Sequence, residues 1–162
     1  MTPLRKMGLT ILGLETSCDE TAASVVRRAQ PQGRADAQPE PTEDRGRAYA
    51  FAQALGFETP GELADDGVPE PLRLALNDRA SVMYVPTGGF GWVTSGRDVA
   101  ERGTVECLVS ITASDRDEVD DLVRRASDGG GEIVSGPEQQ AWGYCGSFAD
   151  PDGHLWEVIV PA

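Results

Sequence analysis

The chain has 162 residues, 40% of them hydrophobic and 25% charged, with a formal net charge of −13. That is enough chain for an ordinary domain whose core needs no metal or disulfide staple. The acidity opposes non-specific binding to nucleic acid, and no apolar run reaches the roughly eighteen residues of a membrane span.

The start, "MTPLRKMGLTILGL", runs into "ETSCDET" rather than a small-residue cleavage site, so no signal peptide is expected. Cys18, Cys107 and Cys145 are widely spaced, with no C-x-x-C. This is neither a disulfide framework nor a thiolate zinc site, and a reducing cytoplasm is the simplest setting. His154 is the single histidine. It stands at a turn and is expected on the surface.

In chain order, residues 9–14 and 22–27 are short apolar runs flanking "ETSCDET" and suit two strands of a hairpin. Residues 27–44, "RRAQPQGRADAQPEPTED", offer little to bury and read as a linker. Ala48, Phe51, Ala52 and Leu55 then lie at i, i+3, i+4, i+7, one face of a helix, with Gly56 as its C-cap. A strand-like "GFE" follows, then strands are predicted at 72–77 and 80–85 and a long glycine-rich connection over 86–103. Trp92 and Phe90 in that connection fit either a mobile lid over a pocket or an ordinary loop with an aromatic anchor.

The order then repeats. A strand is predicted over 104–112, and Ser114 with Asp117 resembles a capping box. Val119, Leu122, Val123 and Ala126 form a second helical stripe. Strands follow at 132–135, 142–148 and 154–160, the last entered through the tight turn "DPDG" of 150–153. The second half reads strand, helix, strand, strand, strand; the first reads the same without its opening strand. An internal repeat of this length is a structural argument for two like units.

The segments "PTEDRGRAYAFAQALGF", "SITASDRDEVDDLVRRASDGGGEIV" and, most specifically, "DPDGHLWEV" resemble the glyoxalase/bleomycin-resistance/extradiol-dioxygenase superfamily. The resemblance implies an α+β vicinal oxygen chelate fold, in which paired βαβββ units form a half-open barrel-like sheet. Residues 41–103 would be an incomplete first unit, its opening strand missing or replaced, and 104–162 a complete second unit. It also implies a small-molecule ligand, a homodimer and a divalent metal (Zn, Ni, Fe or Mn), with metal-dependent lyase or dioxygenase-like chemistry or a degenerate relative of it.

The family's last-strand glutamate ligand matches Glu157, which would be a metal ligand or general base. Local physics agrees that Glu157 needs a partner: it lies between aliphatic neighbours, and an unpaired buried carboxylate is costly. Its bland alternative is a solvated rim residue or one paired with an arginine. For the next ligand the candidates are Glu106 and Leu108, and Met83 or Tyr84 stands where another should be. With a single histidine, the family's two-His, two-carboxylate set cannot be built. Tyr84, Trp92 and Tyr144 are candidate pocket residues, although buried tyrosines are more often core residues with a satisfied hydroxyl. Cys107 and Cys145 read as small buried strand residues. A metal-free, drug-binding member of the superfamily is the alternative, and an acidic cleft would suit a cationic ligand such as bleomycin.

"ILGLETSCDETAASVV" separately resembles the N-terminus of the TsaD-like tRNA threonylcarbamoyladenosine transferase family, over about residues 8–28. That family needs two full lobes and a histidine pair, so its activity is expected to be absent. The domain reading is 1–28 as a TsaD-like fragment, 29–40 as linker and 41–162 as the glyoxalase-like domain. One N-terminal strand, "LTILGLE" or "ASVVRR", is expected to fill the vacant sheet edge.

Overall fold

The computed structural model describes residues 9–12, 36–42, 44–78, 80–97, 101, 104–105 and 107–162, with side chains from Thr42 onward except those of Trp92 and Val93. In chain order its elements are β1 (Leu9–Leu12), β2 (Asp36–Thr42), α1 (Arg45–Leu55), β3 (Glu62–Leu63) and β4 (Pro69–Glu70). Then come β5 (Leu72–Asn77), β6 (Ala80–Pro86), α2 (Thr87–Val93), β7 (Leu108–Thr112), α3 (Arg116–Asp128), β8 (Glu132–Gln140), β9 (Gly143–Ala149) and β10 (Leu155–Pro161). None of the described helices is long and apolar enough to cross a membrane.

The two helical stripes fold as their spacing predicts. Ala48, Phe51, Ala52 and Leu55 are the buried face of α1, and Val119, Leu122, Val123 and Ala126 that of α3. Gly56 closes α1 with φ 82°, a left-handed conformation that glycine adopts without a Cβ clash. The Gly56 and Phe57 N–H groups return to the Gln53 and Ala52 carbonyls. The cap of α3 is displaced by one residue from its expected place. Asp115, not Ser114, accepts the Glu118 N–H, while the Glu118 carboxylate takes the Ser114 N–H at 2.7 Å and its hydroxyl at 2.6 Å.

The repeat is visible in the pairing. In the second unit β7 runs parallel to β10, which is antiparallel to β9, which is antiparallel to β8. In the first unit β2 runs parallel to β6, and β6 antiparallel to β5, with a single bridge from Glu58 to Ala75 where the fourth strand would lie. Each unit thus places its first and last strands side by side, joined through a helix. The short β3–β4 pair lies between α1 and β5 in the chain.

One expectation is corrected here. The opening strand of the first unit is neither missing nor replaced: Asp36–Thr42 fills that position, and it begins inside the 29–40 stretch read as a linker. Its prolines are tolerated because β2 is the edge of its sheet. Pro39 and Pro41 are two apart, so their missing N–H groups fall on one side of the strand, which an edge can leave unpaired. The N-terminal strand does add to a sheet edge, but to the other unit: β1 pairs antiparallel with β7, Leu9 opposite Ile111 and Leu12 opposite Leu108. The 22–27 run and its proposed hairpin lie outside the described residues.

The two units share one core. It joins the buried faces of α1 and α3 to Leu72, Leu74, Val82 and Tyr84 of the first sheet and Val109, Ile111, Phe148, Trp156 and Val158 of the second. Phe51 meets Phe148 edge-on at 6.0 Å, and the Phe148 and Trp156 rings are stacked at 6.3 Å. A Cβ on Gly129 would lie 2.9 Å from the Ala54 Cβ, so the end of α3 lies against α1, and Arg125 Nε donates to the Ala54 carbonyl at 2.8 Å.

Candidate functional site

Strand alternation sorts the side chains of each sheet into a core set and an outer set. On β10, Trp156 and Val158 are fully buried toward the helices, while Leu155, Glu157 and Ile159 are half-buried on the opposite face. Register places Glu157 between Ser110 of β7 and Ser147 of β9. Ser110 is buried and donates from Oγ to Glu157 Oε2 at 2.8 Å. The Glu157 carboxylate therefore has a partner, which answers the burial cost anticipated from sequence.

Cys145 stands opposite Ile159, two positions along β10 from Glu157, and so shares its face. Burial pushes the Cys145 thiol above its usual range, and the Glu157 charge pushes it further. Glu157→Gln removes that second cause. The thiol pKa is expected to fall, and alkylation of Cys145 by iodoacetamide at fixed pH above 7 to speed up. An unchanged pH–rate curve for Cys145, followed by peptide mass spectrometry, would contradict the proximity.

In the first sheet, Leu72, Leu74 and Leu76 of β5 face the core, as do Val82 and Tyr84 of β6. The outer set is Arg73, Ala75 and Asn77 with Ser81, Met83 and Val85.

The structure separates the residues singled out from sequence. Glu157 shares a face with Leu155 and Ile159, away from Trp156 and Val158. Glu106 lies outside the described residues, and Trp92 is placed only through the backbone of α2, a short helix rather than a loop. Phe90 on α2 is buried, which favours the aromatic-anchor reading of that segment. Two pocket assignments are corrected. Tyr84 points into the core, 3% exposed, because it shares parity with Val82, and its hydroxyl donates to Asp150 Oδ2. Tyr144 shares parity with Phe148 and lies toward α3, where its hydroxyl donates to Asp120 Oδ1 at 2.8 Å beneath the Arg116 guanidinium.

Sequence reading missed Asp150. This residue of the "DPDG" turn is 2% exposed. Its Oδ1 accepts the backbone N–H groups of Asp152 (3.0 Å) and His154 (2.9 Å), and its Oδ2 accepts the Tyr84 hydroxyl and the Trp156 indole N–H (3.3 Å). Beside it, Asp152 accepts from the Thr42 hydroxyl and pairs with Arg47, each at 2.7 Å. The turn of the second unit is thus bonded to the last strand, first strand and helix of the first. His154 is half-buried rather than on the surface, its ring edge-on to Tyr84 at 6.0 Å.

The donors described around Glu157 do not by themselves fit a hard divalent cation. Glu157 has hydroxyls and a thiol around it on its face, already accepts from Ser110, and among the described residues is joined there by no second carboxylate or imidazole. Among the described residues no three His, Cys, Asp or Glu side chains gather at any one place.

This arrangement, a βαβββ unit sharing its core with a like unit in which one strand is reduced to a bridge, can be set against known proteins. The family model described as "Glyoxalase/Bleomycin resistance protein/Dioxygenase superfamily" matches residues 16–158. The chain belongs to that superfamily. Solved structures agree on the fold. Hypothetical protein SA1046 from S. aureus is 22% identical with TM-score 0.64, over 82% of this chain and 95% of that one. A glyoxalase-related enzyme from Fulvimarina pelagi is 19% identical with TM-score 0.65, over 80% and 88%. TnmS3, an antibiotic binding protein from Streptomyces sp. CB03234, is 21% identical with TM-score 0.55, over 83% and 100%. Separately, 29 residues are 76% identical to a tRNA N6-adenosine threonylcarbamoyltransferase from Caulobacter vibrioides, a match to 18% of this chain that spans only 8% of that enzyme.

Proposed function

We propose that this superfamily member binds a small organic molecule on the open faces of its sheets and does so without a metal ion. The observation that carries the reading is the setting of Glu157. The family's ligand position holds a carboxylate, yet that carboxylate is bonded to Ser110 and its neighbours are Ser147 and Cys145. Such a surface offers hydrogen-bond donors and acceptors between apolar residues, which is how small-molecule sites orient a ligand. The antibiotic-binding description of TnmS3 supports the same reading.

Thermal shift against a panel of glycopeptide and polyketide antibiotics, with EDTA present throughout, tests the proposal. At least one compound should raise the melting temperature in a concentration-dependent way, reaching about 2.7 kcal/mol of stabilisation at a hundredfold excess over Kd. Its amide shift perturbations should centre on β5, β6, β7, β9 and β10. Stabilisation that needs added metal, or perturbations confined to α1 and α3, would contradict it.

A further inference from the structure

On the face of the first sheet turned away from the core, two polar groups lack partners. Ser81 is 4% exposed and its hydroxyl makes no hydrogen bond. Arg73 is half-buried, and its Nε is buried and unbonded. The register sets Arg73 opposite Met83 and Ala75 opposite Ser81, so Arg73 and Ser81 are diagonal neighbours on one face. Long side chains reach across such a diagonal.

Arg73 differs from the other half-buried arginines described, Arg45 and Arg125, which each meet a carboxylate. The chain's net charge is −13, and carboxylates are abundant. Arg45, Arg47, Arg124 and Arg125 each meet one: Glu70, Asp152, and Asp121 for the last two. No carboxylate pairs with Arg73 among the described residues. A buried donor without an acceptor is costly, and native structures keep few of them.

We infer that Arg73 and Ser81 form a subsite for the carboxylate of a small-molecule ligand whose apolar body lies over Met83 and Val85. The inference rests on the reading of the open faces as the ligand surface and names the chemistry the ligand brings. A guanidinium offers a planar fork of donors that matches a carboxylate, and an adjacent hydroxyl adds a third donor. The half-buried Met83 and Val85 on the same face supply apolar contact for the rest of the molecule. The acidic overall charge alone had pointed to a cationic ligand; the local chemistry of this face points to an anionic group.

The test uses 3-phenylpropionate, its neutral amide and 3-phenylpropylamine as probes, titrated into the full chain and followed by amide chemical shifts. The carboxylate should bind about tenfold more tightly than the amide, with the largest shifts on β5 and β6. Arg73→Met should abolish the preference, and Ser81→Ala should weaken carboxylate binding about fivefold. Both variants should melt no lower than the wild type, and up to about 2–4 °C higher, because each removes an unsatisfied buried donor. Equal binding of amide and carboxylate would overturn the inference while leaving small-molecule binding intact. Failure of the carboxylate to bind, a preference that survives Arg73→Met, or a fall in melting temperature in both variants would also overturn it.

Discussion

Asp150→Ala should destabilise the protein by about 3–5 kcal/mol, a large share of a domain's total stability. The substitution removes the acceptor for four donors at once: the Tyr84 hydroxyl, the Trp156 indole N–H and the backbone N–H groups of Asp152 and His154. All four are left around a site that is 2% exposed, where water cannot easily replace the lost oxygens. Asp150→Asn is expected to recover only part of the loss, because an amide nitrogen would then face two donors in place of Oδ2. Urea unfolding followed by far-ultraviolet circular dichroism measures both. A loss below about 1 kcal/mol for Asp150→Ala would show that the turn is not a joint between the units.

Trp156→Ala should cost a comparable amount, about 3–5 kcal/mol, through a cavity the surrounding aromatics cannot close. Trp156 is fully buried, stacked on Phe148 at 6.3 Å and tilted against Phe57 at 5.8 Å. It is the point at which the second sheet meets the segment following α1. Because its indole N–H also donates to Asp150, the two losses should not add. The double variant is expected to fall short of the sum by about 1 kcal/mol, and strict additivity would mean that the bond contributes nothing. The same unfolding experiment gives the answer.

Much of this architecture was legible in the chain. The i, i+3, i+4, i+7 stripes of α1 and α3, the Gly56 cap and the order of strands in the second unit all follow from periodicity. Periodicity survives because one face of each element meets a single core. The first strand of the first unit was not legible. An edge strand held by backbone bonds to β6 demands little of its side chains, so "DAQPEPT" carries no alternating apolar signal. Prolines that would break a central strand are harmless at that edge.

The site was legible in part. Parity on "HLWEVIV" correctly set Glu157 on the face opposite Trp156 and Val158, and the same rule applied to "LVSIT" would have found Ser110 beside it. Applied to "ASVMYV" and "WGYCGSF", it would have sent Tyr84 and Tyr144 to the core side. Their polar tips had suggested a pocket, but Asp150 and Asp120 take up those hydroxyls. Asp150 itself read as a turn residue because three of its donors are local, and the one that ties it to the first unit, Tyr84, comes from a strand far away in sequence. Arg73 and Ser81 were invisible for the opposite reason: what marks them is a missing partner, and that is a property of the folded face alone.

The central claim is that the open face around Glu157 works as a binding surface without a bound cation. Metal content by inductively coupled plasma mass spectrometry addresses it most directly. Wild type and Glu157→Gln would be loaded in parallel with Zn, Ni, Fe or Mn and then dialysed. Well under one equivalent is expected in each, with no difference between the two proteins. About one equivalent retained by the wild type and lost in Glu157→Gln would contradict it.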